Sequence, residues 1–314
     1  MMAELCLVTG GAGFIGSHLV EALTAAGKRV RVLDNLSTGL TDNLSHISPA
    51  PEFVHGCITD AHAVEHAVAN CNVVFHLAAL ASVAKSVEDP LASHAACATG
   101  ALNVFHAARK AGVRRIVYAG SASAYGNASD EAGQDENTPL MALSPYAAAK
   151  LAGEFYAESF AASYGIETVR LRFFNVFGPR QRADSPYSGV IAIFTAMLTS
   201  GRVPTIHGDG LQSRDFVYVS DVARALMLAA DTPGVSGRVY NVGTGGSVNL
   251  LQLIAELNAI LGTIITPTHG PARAGDVKHS RAKIDRIRAE LGYSPAVPFA
   301  VGLRETLMWY QSQK

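Results

Sequence analysis

Short apolar runs alternate with longer amphipathic stretches through the first half of the chain. Runs rich in Val, Ile, Leu or Phe predict strands at 4–9, 30–34, 52–55, 72–77, 114–119 and 168–174. Between them, helical patterning covers 14–26, 61–69, 91–111 and 145–164. This alternation predicts an α/β fold, a doubly wound parallel sheet with right-handed crossovers and helices on both faces. The second half mixes helical stretches (189–199, 222–231, 249–261, 281–291 and 300–312) with short strands. It predicts a smaller C-terminal α/β domain over the carboxyl edge of the sheet. The expected division is 1–175 and 176–314, with segments near 214–221 and 239–243 returning to the first part. A ligand cleft then falls between the two.

Composition narrows the function classes. Of 314 residues, 49% are hydrophobic and 16% charged, the balance of a chain with a large core. A formal net charge of -1 argues against a general polyanion or nucleic-acid binder. Cys6, Cys57, Cys71 and Cys97 are scattered without a C-x-x-C, so neither a metal site nor a disulfide framework is expected. They read as reduced thiols of a cytoplasmic protein. Leu5-Cys6-Leu7-Val8 reads as a buried strand rather than part of a leader, and no apolar run approaches the ~18–20 residues of a membrane span.

Gly10, Gly13 and Gly16 form G-x-x-G-x-x-G between the first strand and the first helix, in Thr9-Gly10-Gly11-Ala12-Gly13-Phe14-Ile15-Gly16. Glycines there permit a tight turn and let backbone N–H groups approach a pyrophosphate at the helix N-terminus. Asp34 ends the next strand, where a carboxylate accepts from a ribose 2′-hydroxyl and repels a 2′-phosphate, so NAD is favoured over NADP. Asn35, Ser37 and Gly39 continue along that ribose. Cys57 and Ile58 end the third strand, beside the adenine. Leu77, Ala78 and Ala79 end the fourth, where small residues let the nicotinamide half pass close to backbone. His76 is expected to be a packed histidine. The whole is a Rossmann-type dinucleotide site.

Ser144-Pro145-Tyr146-Ala147-Ala148-Ala149-Lys150 supplies candidate chemistry. Ser144 caps a helix that Pro145 starts, and Tyr146 and Lys150 lie one turn apart on one face. An ammonium beside a phenol favours the phenolate, so Tyr146 is expected to titrate nearer neutrality than usual and to exchange a proton with a substrate hydroxyl. Ser121, in Ala119-Gly120-Ser121-Ala122-Ser123-Ala124-Tyr125-Gly126 at the end of the fifth strand, would hydrogen-bond the reacting oxygen.

These motifs, with Phe173-Phe174-Asn175-Val176-Phe177-Gly178-Pro179-Arg180, Ser213-Arg214-Asp215-Phe216-Val217-Tyr218-Val219-Ser220-Asp221, Tyr240-Asn241-Val242-Gly243 and Arg273-Ala274-Gly275-Asp276, resemble the extended short-chain dehydrogenase/reductase family in its UDP-hexose 4-epimerase branch. The likeness covers nearly the whole chain. It implies NAD as bound cofactor, with Tyr146 and Lys150 also contacting it. Ser121, Tyr146 and Lys150 would be the catalytic set, and Asn175, Arg214, Arg273 and Asp276 would hold UDP. Ser82, Ser121, Ser123, Tyr146 and Ser280 would line the sugar. A homodimer through the helices at 91–111 and 145–164 is implied as well. Sugar 4,6-dehydratases carry an Asp-Glu pair where this chain has Ala122-Ser123, and UDP-glucuronate decarboxylases usually carry a Glu in place of Ser123. Ser280 stands where a bulky Tyr crowds the sugar C2 substituent in similar epimerases, so N-acetylated hexoses are expected to enter. Cys57 replaces a common Asp near the adenine, and Cys97 replaces a usual Asn near the nicotinamide. Another NAD-dependent nucleotide-sugar enzyme, or a non-enzymatic dinucleotide-binding regulator, is the rival reading.

Overall fold

The structure is a computed structural model that describes residues 3–128, 133–183, 189–272 and 277–313. Its first part runs β1 (Leu5–Thr9), α1 (Phe14–Ala25), β2 (Arg29–Asp34), β3 (Glu52–His55), α2 (Ala61–Val68), β4 (Val73–His76), α3 (Val83–Glu88), α4 (Pro90–His94), α5 (Gly100–Lys110), β5 (Arg115–Ser121), α6 (Pro145–Tyr164) and β6 (Glu167–Phe173). There follow β7 (Asn175–Phe177), α7 (Val190–Thr199), β8 (Thr205–His207), β9 (Ser213–Arg214), β10 (Phe216–Tyr218), α8 (Val219–Asp231) and β11 (Arg238–Val242). The chain ends with β12 (Val248–Asn249), α9 (Leu250–Leu261), β13 (Thr268–Gly270), β14 (His279–Ser280), α10 (Asp285–Leu291) and α11 (Phe299–Ser312).

Among the described residues the main sheet has seven parallel strands in the order β11-β6-β5-β4-β1-β2-β3. Its strands are near-continuous apolar runs because both faces are covered. Alternate side chains go to opposite faces. Cys6 and Val8 of β1, with Val117 and Ala119 of β5, pack under α1 and α8 through Leu19, Leu23, Val222 and Leu226. Leu5, Leu7, Ile116 and Tyr118 point the other way, into a core closed by α2, α5 and α6 through Val64, Val104, Phe105, Ala157 and Phe160. A further core joins α7, α9 and α11 around Phe177, Phe194, Phe216, Leu253 and Leu303. It sits beyond the carboxyl ends of the strands.

Three expectations about helices change. The helix expected over 91–111 is interrupted: α4 and α5 are joined by a π-helical turn over Ala95–Thr99, which carries buried Cys97. Sequence periodicity does not register one extra residue in a turn. α3 was not expected; the Ser82 hydroxyl starts it by accepting from the Lys85 N–H at 3.1 Å. The helix expected over 281–291 begins only at Asp285, because His279–Ser280 pair with Ser213–Arg214 and the Ala282 N–H donates to Asp215.

Candidate active site

The carboxyl ends of β1, β2, β4, β5 and β6 open into one cleft of about 510 Å³. Gly10 and Gly13, with Phe14, Ile15 and Gly16 at the start of α1, form one wall. Gly10 has φ +72°, and a Cβ on it would meet the backbone of Ala78 at 2.9 Å. A Cβ on Gly16 would collide with the Gly10 carbonyl oxygen, so the turn closes only with glycine at both places. α1 begins with no side-chain cap and no acidic residue in its first turn. Its unpaired N–H groups and positive dipole end are therefore left for an anion.

Asp34 ends β2 with both oxygens in use. Oδ2 accepts from the Ala12 N–H at 3.0 Å and Oδ1 from the Leu36 N–H at 2.8 Å. It ties the glycine turn to the next loop and keeps lone pairs for a further donor. Asn35, Ser37, Cys57, Ile58, Leu77, Ala78 and Ala79 line the same cleft. Gly39 does not; it packs against Ala12, where a Cβ would come within 2.9 Å of backbone. The Cys57 thiol takes the hydroxyl of Thr59 at 3.0 Å and the amide of Asn35 at 3.5 Å. His76 is buried and bonds Thr9 Oγ1 at 2.7 Å, and burial pulls its pKa down to about 3. It is a neutral packed histidine at physiological pH.

Ser144 and Pro145 start α6 as expected, with Ser144 Oγ accepting from the Ala147 N–H at 3.1 Å. Tyr146 and Lys150 project from this helix into the cleft, beside Ala119 and Gly120. The electrostatics differ from the expectation that the lysine brings the phenol toward neutrality. The protein packed around Tyr146 pushes its pKa up to about 12, the Cys97 thiol adds to the rise, and a hydrogen bond from Ser121 pulls the other way. Lys150 is itself buried, which lowers its pKa, and its ammonium lies 4.5 Å from the centre of the Tyr118 ring. Desolvation of the phenolate dominates here. Ser121 stands at the end of β5 and accepts from the Ser123 hydroxyl at 2.9 Å and from the Ser123 N–H at 3.2 Å.

Farther along the strand ends, Asp215 gathers the segments that carry other expected residues. It is fully buried; Oδ1 accepts from Thr244 N–H at 2.8 Å and Oγ1 at 2.6 Å, and Oδ2 from the N–H groups of Gly245 at 2.9 Å and Ala282 at 3.1 Å. Its backbone carbonyl accepts from the Asn175 N–H at 3.0 Å, and its own N–H donates to the Ser280 carbonyl at 2.8 Å. Ser280 is in register with Arg214 on the neighbouring strand. Asn175, Arg214 and Ser280 are thus drawn together; none of the three lines the Tyr146 cleft. Ser82 caps α3. Arg273 and Asp276 lie outside the described residues. Leu80, Ala81, Lys85, Ala96 and Phe173 also line the cleft. Phe173 was signalled by its place at a strand end, whereas Leu80 and Ala96 gave no signal, since α3 and the π turn follow no simple pattern.

The sheet order, the glycine turn on α1 and the carboxylate closing β2 define a Rossmann-type dinucleotide-binding protein, with a tyrosine–lysine pair opening into its cleft. The family profile described as "NAD dependent epimerase/dehydratase family" matches residues 6–243. The chain belongs to that family, an extended branch of the short-chain dehydrogenases/reductases, whose cofactor is NAD. It is 38% identical over 310 residues to a UDP-glucose 4-epimerase of Mycolicibacterium smegmatis, covering 98% of each chain. A UDP-N-acetylglucosamine 4-epimerase of Methanobrevibacter ruminantium, solved with UDP-N-acetylmuramic acid, matches at 37% identity and TM-score 0.94 over 100% of both chains. The Thermotoga maritima UDP-glucose 4-epimerase solved with UDP-glucose matches at 37% identity and TM-score 0.94, over 98% of this chain and 99% of that one. Relatives also include a decarboxylase and 4,6-dehydratases of nucleotide sugars. Among the described residues no helix is long and apolar enough to cross a membrane, and no group of His, Cys, Asp or Glu could hold a metal ion.

Proposed function

We propose that the protein interconverts the C4 epimers of UDP-hexoses, both UDP-glucose/UDP-galactose and the N-acetylated pair. The observation that carries this reading is the convergence of Tyr146, Lys150 and the strand end bearing Ser121 on the glycine-walled cleft, with Ala122-Ser123 where elimination chemistry would need carboxylates. The cleft suits NAD: its glycine wall would be filled by side chains, its helix end is uncapped, and Asp34 faces it. The residues that would hold NAD are Gly10, Gly13, Gly16, Asp34, Asn35 and Ser37, with Lys150 toward its nicotinamide ribose. When bound, NAD accepts the hydride from sugar C4 and later returns it.

The chain's own residues handle the proton. The Tyr146 oxygen exchanges it with the sugar 4-oxygen, and Ser121 holds that oxygen in line with the phenol. Because burial keeps Tyr146 protonated, the phenolate must be drawn out by positive charge and donated hydrogen bonds, which Lys150 and Ser121 supply. Asn175, Arg214, Arg273 and Asp276 would grip UDP, arginines suiting a diphosphate through paired donors. A sugar held only through its nucleotide could present either face to the same proton donor. Small Ser280 leaves room for an N-acetyl group. A homodimer would cover Leu91 on α4 and Phe155 on α6, which are 80% and 57% exposed. The reduced thiols suit the cytoplasm.

The test is incubation of the protein with UDP-glucose, UDP-galactose and their 2-acetamido counterparts, with products resolved by NMR. Interconversion within both pairs, with no net change in NADH, is the expected outcome. Loss of water or carbon dioxide from the sugar, or stoichiometric NADH consumption, would overturn the reading. Turnover of the glucose pair alone would remove the N-acetyl part.

A further inference from the structure

Lys150 is 3% exposed, Glu154 one turn later on α6 is 2% exposed, and Arg172 on β6 is 3% exposed. Arg172 Nε donates to both carboxylate oxygens of Glu154 at 3.1 Å, and its Nη2 donates to Oε2 at 2.8 Å. Arg172 Nη1 donates to Tyr125 Oη at 2.9 Å, which donates in turn to Asn241 Oδ1 at 2.6 Å. Gly120 makes room for this carboxylate, since a Cβ there would come within 2.7 Å of Glu154 Oε1. Gly120 also lines the cleft beside Tyr146 and Lys150 and immediately precedes Ser121. The ion pair is therefore the underside of the active cleft.

As a stabilising device such a pair is poor, because desolvation offsets most of the attraction and apolar residues of equal volume would serve the fold as well. Its place beside Lys150 gives it another use. The charged and titratable groups around Lys150 are Tyr146 and Glu154 on its own helix, Cys97 on the π turn, Tyr118 on β5, His76 on β4 and Lys85 on α3 at the same cleft. Glu154, after Cys97, is the group that favours the charged lysine, and Asp34 is the other carboxylate at the cleft. The phenols and His76 are neutral at physiological pH.

We propose that Glu154 is a positioning residue that keeps Lys150 charged inside the cleft, with Arg172 fixing the carboxylate beneath Gly120. This rests on the reading of Tyr146 and Lys150 as the proton-transfer pair. Burial strips the proton from an ammonium, and a carboxylate one turn away opposes that loss.

The test follows Lys150 by NMR in NAD-loaded, full-length protein carrying lysine labelled with ¹³C at Cε, the resonance assigned by its absence in Lys150→Met. Glu154→Gln keeps the shape under Gly120 and should lower the Lys150 titration midpoint by at least one pH unit. The alkaline limb of kcat/KM should move down with it. Glu154→Gln/Arg172→Gln removes both buried charges; its melting temperature should recover while the Lys150 midpoint stays low. That second variant carries the test alone if the single one does not fold. An unmoved midpoint in Glu154→Gln, or a midpoint restored together with stability in the double variant, makes the pair a structural brace and overturns the proposal. The lysine titration is readable whatever the enzyme turns over, so failure of the epimerase reading shows separately, in the wild-type product analysis.

Discussion

Gly153 on α6 faces Tyr118 on β5 with no space for a methyl group between them: a Cβ at Gly153 would collide with the phenol oxygen. Tyr118 Oη donates to the Lys150 carbonyl at 3.1 Å, and its ring lies under the Lys150 ammonium. The distance between helix and strand, and with it the height of Lys150 above the sheet, is set by this contact. Gly153→Ala should push α6 outward and cost about 1–3 kcal/mol of stability. It should also lower kcat at temperatures where the variant is folded. Denaturant unfolding together with turnover at saturating substrate checks both; loss of stability with wild-type kcat would show that the height does not matter.

Tyr146→Phe removes the exchanging oxygen and leaves the ring in place. Turnover should fall by about 10²–10⁴-fold, the usual worth of a positioned acid or base, with NAD and UDP binding retained. Ser121→Ala removes the hydrogen bond that favours the phenolate. Its acid limb in the kcat/KM profile should move to higher pH, because the phenol then holds its proton more tightly. Steady-state rates from pH 6 to 10 discriminate the two; an acid limb unchanged in Ser121→Ala would take that serine out of the proton path.

Asp34→Asn keeps the size of the side chain while removing its charge. One of the two backbone bonds, from Ala12 or Leu36, should be lost with it, because an amide presents one acceptor atom in place of two. NAD should bind at least tenfold more weakly, and the preference over NADP should shrink as the repulsion of a 2′-phosphate disappears. Calorimetric titration with each dinucleotide measures this. An unchanged NAD/NADP ratio would mean that discrimination lies elsewhere in the cleft.

Acid should weaken the fold through His76. Its pKa falls from an ordinary 6.5 to about 3 on folding, burial being the main cause and the Lys150 charge the second. Between those values the unfolded chain binds the extra proton and the native one does not. The contribution is therefore whole above pH 6.5 and declines as pH drops toward 3, at up to about 1.4 kcal/mol per pH unit. His18, pulled down to about 4 by burial, acts in the same direction. Urea unfolding at pH 7.5, 6.5 and 5.5 should show this slope, and His76→Asn should flatten it; equal slopes would sink the assignment.

What the sequence made legible is what local pattern and chain order determine. Apolar runs located six of the seven strands of the main sheet, β11 being expected only as a returning segment near 239–243, and glycine spacing located the turn that walls the cleft. The tyrosine and lysine were found because helical geometry alone puts residues 146 and 150 on one face. What stayed hidden depends on partners far along the chain. Asp215 takes bonds from residues 244, 245 and 282, and Arg172 meets Glu154 and Tyr125 across neighbouring elements. The error over the Tyr146 phenol has the same origin. A motif reveals that a cation is near, while the depth of packing that penalises the phenolate is a property of the assembled structure.

The Asp215 carboxylate has a consequence for how such a pocket can diversify. Because the buried Asp215 side chain ties down the backbone at 244, 245 and 282, and the Asp215 N–H holds the Ser280 carbonyl, the outline around residue 280 is fixed by main-chain bonds. The side chain at 280 takes no part in that outline. It can be exchanged like an insert in a mould, and under the proposed function that exchange would change how large a sugar is accepted without recasting the mould itself.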